Sequence, residues 1–194
     1  MNTPFIIGIA GGSASGKTVF CRALIEALSG HNIKVFEMDD YFKEQAPKSK
    51  APITGKIYDD YQNPDGIDLQ RMKNELFDAK EDIVIVEGLF TLADEDIHRR
   101  LDLKLYIDCQ ADERIVRRLK RYQTEGGFDE DFLKNETFGW LSDYNLDLVR
   151  YRHDEYIEPS KWRADIILNG SMPSERALEM VKGYVLNMKR SKSR

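Results

Sequence analysis

The 194-residue sequence predicts an α/β fold, a doubly wound five-stranded parallel sheet, and three observations carry that prediction. Five short runs rich in Ile and Val are nearly continuous in apolar character, as strands buried on both faces require. Longer stretches of helical periodicity separate them, the alternation that lays successive strands parallel. A glycine-rich turn also joins the first run directly to the first helix.

The elements follow in order. The first strand is FIIGIA, Phe5–Ala10, and the first helix spans Lys17–Ser29, with Gly30 as its stop. Further strands are predicted at Ile33–Met38, Ile83–Gly88, Leu103–Asp108 and Ala164–Leu168. Helices are predicted at Asp68–Ala79, Asp94–Arg100, Asp112–Glu125, Asp129–Tyr156 and Ser174–Lys189, the last opened by Pro173-Ser174. Two stretches interrupt the pattern. Asp40–Pro64 is long and polar, and Pro47, Pro52 and Pro64 restrict it to turns and extended chain. A connection of that length inside one domain is usually functional or disordered. Gly126-Gly127 reads as a hinge, and the closing KRSKSR as a solvated tail. The expected organisation is one domain over 1–194 with a helical lid over about 112–157.

Composition narrows the function classes. A formal net charge of −5 disfavours nucleic acid and anionic lipid as partners, so any phosphate site must be a local basic focus. Cys21 and Cys109 stand far apart without metal-ligand spacing, as expected of buried thiols in a reducing compartment. Neither a signal peptide nor a membrane span is read from the chain, and a cytoplasmic location is expected. Oligomeric state stays open, a homo-oligomer included.

The turn GIAGGSASGKT carries the first chemistry. Gly11-x4-Gly16-Lys17-Thr18 matches the phosphate-loop pattern and lies between a strand and a helix, where that pattern belongs. Backbone amides of Gly11, Ser13, Ala14, Ser15 and Gly16 are expected to cradle a phosphate chain, with the helix N-terminus behind them. Lys17 is assigned to the β- and γ-phosphates of that chain, and the Thr18 hydroxyl to Mg²⁺. Glu87 ends a buried strand at the edge where such sheets hold ligands, and is a second candidate for the metal. FEMDDYF ends the second strand at the same edge. An aspartate there, Asp39 or Asp40, would orient an acceptor hydroxyl and take its proton. The helix DERIVRRLKR carries Arg114, Arg117, Arg118 and Arg121 at spacings that share a face, suited to a transferring phosphoryl group.

Taken together, GGSASGKT, MDDYF, YQNPDGID, VIVEG, KLYIDCQADERIVRRLKR and EYIEPSKWRADIIL resemble the uridine kinase branch of the phosphoribulokinase/uridine kinase family, in the family's order from residue 6 to about 170. The resemblance implies phosphorylation of a ribose 5′-hydroxyl by ATP or GTP. It assigns the base to Asp39, magnesium to Thr18 and Glu87, and the lid arginines to Arg117 and Arg121. On the acceptor side it draws on Asp39, Tyr41 and Tyr61. Three departures concern the acceptor. Gln62 stands where the family carries an aspartate that resembles a ribose-hydroxyl acceptor, so Asp59 or Asp60 is the candidate to take that role. FDAKEDIVIVEG leaves no room for the family's pyrimidine-reading hairpin, and Gly126 and Phe128 occupy lid positions that are basic in the family. The acceptor is therefore a small molecule, a nucleoside in the first instance. RYQTEGGFD and YRHDEY also resemble nicotinamide riboside kinases, with Tyr58, Tyr61 and Tyr122 available to stack on a ring. A third reading, from a different class, is a nucleotide-binding regulatory switch. His153 is read as a residue of the helix surface.

Overall fold

A computed structural model describes residues 3–125 and 136–192. The expected hinge at Gly126-Gly127 and the departure at Phe128 lie outside the described residues. The main sheet has five parallel strands, β1 (Phe5–Gly11), β2 (Ile33–Glu37), β5 (Ile83–Glu87), β6 (Leu103–Asp108) and β7 (Ile166–Asn169), in the order β2-β5-β1-β6-β7. Every strand expected from sequence is present, with ends shifted by two residues or fewer.

The sheet is buried from both sides, which explains why its strands read as continuous apolar runs. Alternate residues face opposite layers. Ile6, Ala10, Val84, Val86, Phe36 and Tyr106 pack under α2 (Leu69–Phe77) and α3 (Glu95–Arg100), with Met72, Leu76 and Ile97. Phe5, Ile7, Ile9, Ile83, Ile85 and Leu105 pack on the other side under α1 (Lys17–Ala27) and α7 (Glu175–Lys192), with Leu24, Val181 and Val185. Asp68 caps α2 by accepting from the Arg71 amide, and Asp94 caps α3 by accepting from Asp96 and Ile97.

Three features differ from the sequence reading. The 40–64 connection contains a hairpin, β3 (Lys48–Lys50) and β4 (Ile57–Asp59), with Ser49 paired to Tyr58. Gly55, at φ 72°, turns the chain between them. The hairpin is held from outside: Ala51 and Tyr58 pack on Tyr144, Leu148 and Val149, and the Tyr58 hydroxyl donates to Asp147 at 2.7 Å. Lys56 and Thr54 add contacts to Asp143 and Asp147.

The helix expected over 129–156 is instead segmented where it is described. α4 (Ala111–Glu125) precedes it; α5 (Glu136–Tyr144) runs into a π-turn at Asn145–Val149, then α6 (Arg150–Arg152), a second π-turn at His153–Ile157 and a 3₁₀ turn at Glu158–Arg163. Asn145 and His153, at the starts of the two widened turns, are both buried, and the Asn145 side-chain amide donates to the Leu141 carbonyl at 2.7 Å. The third difference is the tail. α7 continues to Lys192, where Lys189 pairs with Asp82 and Lys192 with Asp102, tying the basic end to the sheet's lower edge. Among the described residues, no helix is long and apolar enough to cross a membrane.

Candidate active site

The loop after β1 closes around its own backbone. Gly11 and Gly16 take φ of 145° and 102°, and Ala14 stands at φ 61°, a left-handed conformation that a side chain seldom adopts. A Cβ on Gly11 would lie 2.4 Å from the Ile107 carbonyl oxygen of the neighbouring strand, so the loop's first position has no space for a side chain. The chain then enters α1 with Lys17 as its first residue.

Lys17 is buried. Its ammonium donates to the Gly12 carbonyl at 3.1 Å and lies 3.8 Å from Glu87 Oε1. Thr18 donates its hydroxyl to Glu87 Oε2 at 3.2 Å. Glu87 ends β5, the direct neighbour of β1, so strand register alone brings this carboxylate to the loop. Burial holds Lys17 below the ordinary lysine range, against the pull of Glu87 and Asp39, and holds Glu87 above the ordinary carboxylate range, against the pull of Lys17. In such a low-dielectric pocket an anion beside Lys17 is strongly favoured.

The residues present fit a nucleotide and its magnesium. Ser15 keeps a fully buried hydroxyl with no protein partner inside the loop. The Thr18 hydroxyl and Glu87 carboxylate form a pair of hard oxygen donors, the type Mg²⁺ takes alongside phosphate oxygens. Among the described residues, no group of three or more His, Cys, Asp or Glu could hold a metal by itself.

Around this cluster the expected residues divide. Asp39 follows β2 in a short 3₁₀ turn, Met38–Tyr41, is exposed, and is near enough for its charge to act on Lys17. Arg121 and Arg114 act on Lys17 as well. Arg117 donates to the Gly170 carbonyl at 2.9 Å and pairs with Glu113, which brings it beside Gly16. Tyr61 is 45% exposed and meets Phe42 edge to face.

Three residues assigned to the acceptor are committed elsewhere. The Tyr41 ring is buried, and its hydroxyl donates to Glu75 at 2.6 Å, an arrangement that with burial pushes its pKa up to about 12. Asp59 pairs with Lys48 across the hairpin. Asp60 is fully buried, accepting from Arg152 Nε at 2.7 Å on one oxygen and from the Gln62 amide at 3.0 Å on the other. Asp60, directly after β4, therefore ties the end of the hairpin to α6, and both of its oxygens are engaged there. Tyr58 is a packing residue on Tyr144.

The sequence reading missed Arg152, Ser49 and the interior position of His153. His153 is buried, with Nε2 3.2 Å from Glu158 Oε2 and Nδ1 3.4 Å from Arg114 Nη1. A signal was available: Val149, His153 and Ile157 fall at i, i+4 and i+8, and the two apolar members mark a buried face.

A parallel sheet with a phosphate loop after its central strand, and a carboxylate on the adjacent strand, defines the P-loop nucleotide-binding class. A model of the Phosphoribulokinase / Uridine kinase family matches residues 62–176. The uridine kinase of Deinococcus deserti is 30% identical over 208 aligned positions, covering 94% of this chain and 95% of that protein. That of Anoxybacillus flavithermus is 32% identical over 191 positions, covering 85% of each. Among solved structures, a possible uridine kinase from Bacillus stearothermophilus matches with a TM-score of 0.54 at 18% identity, covering 87% of this chain and 90% of its own. A shikimate kinase from Bacteroides thetaiotaomicron matches at 0.53 and 17% identity, covering 94% and 97%. At those identities the structural likeness concerns the fold alone. The chain belongs to the Phosphoribulokinase / Uridine kinase family. It is a phosphotransferase with an alcohol group as acceptor.

Proposed function

We propose that this chain transfers the terminal phosphoryl group of ATP or GTP to a hydroxyl of a small-molecule acceptor, in the first instance the ribose 5′-hydroxyl of a nucleoside. One observation carries the reading. An exposed carboxylate, Asp39, stands at the same sheet edge as the Lys17–Thr18–Glu87 cluster, whose two charged members are buried, and within reach of the Lys17 charge.

In this reading Asp39 accepts a hydrogen bond from the acceptor hydroxyl and takes its proton. The acceptor oxygen bonds to the γ-phosphorus as the bond to the β–γ bridging oxygen breaks. Lys17 donates to the β- and γ-phosphate oxygens, with the loop amides beneath them. Thr18 and Glu87 would hold Mg²⁺, which supplies countercharge to the phosphates. Arg117 and Arg121, on the face of α4 nearest the loop, offer cations to the transferring group. Uridine kinase relatives support a nucleoside as acceptor. Only residues 78–82 separate α2 from β5, so the base must be read by other parts of the chain than a hairpin at that junction. Tyr61, an exposed aromatic ring packed edge to face on Phe42, is a candidate for that contact.

The test is nucleotide consumption, with ATP and GTP, against a panel of nucleosides, nicotinamide riboside and sugars, with product identified by mass spectrometry. The expected result is consumption that depends on at least one nucleoside, with phosphate on its 5′ oxygen. Slow consumption independent of every acceptor would overturn the reading in favour of a regulatory switch.

A further inference from the structure

Arg114 differs from the two arginines assigned above to the transferring group. Its Nε donates to the Cys109 carbonyl at 3.1 Å, which anchors the guanidinium at the base of α4. From there Nη1 reaches the phosphate loop so closely that a Cβ on Gly12 would sit 2.4 Å from it, and 3.0 Å from His153 Cε1. Ser13, Arg114, Arg118, Asn145 and His153 line one cleft beside the loop.

We infer that His153 is a positioning residue: it holds the Arg114 guanidinium against the mouth of the phosphate loop, where Arg114 meets the terminal phosphate of the donor. The inference rests on reading that loop as the donor site. Partner chemistry settles the tautomer. A guanidinium has no acceptor, so the contact at 3.4 Å requires Nδ1 to accept from Arg114 Nη1. The Glu158 carboxylate accepts, so Nε2 carries the proton and donates to it at 3.2 Å. Glu158 is itself held by Lys161, which pairs with Asp108 at the end of β6, and it accepts from the Tyr106 hydroxyl at 3.5 Å. A chain of contacts thus runs from the sheet edge through Glu158 and His153 to Arg114 and Gly12. His153 stands in it at the start of the second π-turn.

Protonating His153 would place a donor at Nδ1 against the donor on Arg114 and drive the guanidinium off the loop. The groups facing the ring are Arg114 from α4, Glu158 from the 3₁₀ turn and Asp154 from its own turn. Burial and Arg114 lower its pKa below 6.5, against the opposing pull of Glu158 and Asp154. The neutral ring is therefore fully formed above the usual histidine range, and the contact is lost as pH falls through the lowered value.

The test is calorimetric binding of ATP and of ADP, with Mg²⁺, to the full chain and to Arg114→Met, His153→Gln, His153→Asn and the Arg114→Met/His153→Gln pair. Gln keeps a donor at the Nε2 position toward Glu158 but has no acceptor at the Nδ1 position; Asn keeps an acceptor there. Arg114→Met and His153→Gln are each expected to weaken ATP about tenfold, and ADP less, as one charge-assisted contact to the terminal phosphate is lost. His153→Asn should recover most of that affinity, and the double variant should bind no worse than Arg114→Met. As pH falls from about 8 through the lowered His153 value, wild type should lose more ATP affinity than Arg114→Met does. Equal weakening by Gln and Asn, additive losses in the double variant, or identical pH slopes would overturn the inference. The pH arm needs no variant at 153. A wild-type chain that binds neither ATP nor GTP would overturn the donor reading along with it.

Discussion

The two sides of the candidate site are built differently. The donor side is a loop of eight consecutive residues plus one carboxylate delivered by the neighbouring strand. The side proposed above for the acceptor is held together by contacts between parts far apart in the chain: Tyr58 reaches Asp147, Asp60 reaches Arg152, and Ser49 reaches Arg152. A contiguous loop can serve any phosphate chain. A wall made of distant segments can be reshaped by changing a hairpin or a helical turn while the loop stays as it is.

The comparison can be broken by perturbing one side and reading both. The largest expected effect on stability is on the acceptor side. Asp60→Asn leaves the mostly buried Arg152 guanidinium facing a neutral amide, with an expected loss of about 3 kcal/mol in urea unfolding. ATP affinity at temperatures where the variant remains folded should change little; a collapse of both together would mean that the two sides are one unit. Lys17→Met is the converse. It should weaken ATP about a hundredfold in a binding titration, the order expected for losing charge-assisted hydrogen bonds to phosphate. It should leave hairpin protection in hydrogen exchange as it was. The smallest effect is expected from Tyr58→Phe, which removes the hydroxyl's bond to Asp147 but keeps the ring on Tyr144. About 1 kcal/mol of stability should be lost, with nucleotide affinity unmoved.

The same division decides what could be read from sequence. β6 matched at both ends, and Lys17, Thr18 and Glu87 met as expected, because a strand's period and a loop's spacing are local properties. The hairpin within 40–64 was missed because three-residue strands carry almost no periodic signal, and packing on Tyr144 and Leu148 stabilises them from about ninety residues away. Asp60 was read as available to an acceptor because nothing in YDDYQNP announces Arg152. The two π-turns were invisible for a related reason. Each widens the helix locally, and the charges of the run around His153 suggest a surface although Val149 and Ile157 share its buried face.

The most direct test of the central claim is Asp39→Asn, with ATP binding and phosphoryl transfer to the best acceptor measured on one preparation. Asn keeps the shape and can still accept a hydrogen bond from the hydroxyl, but it is a far weaker proton acceptor. The account predicts nearly intact ATP affinity and turnover lowered by about a hundredfold or more. Turnover equal to wild type would contradict it and remove Asp39 from the chemistry.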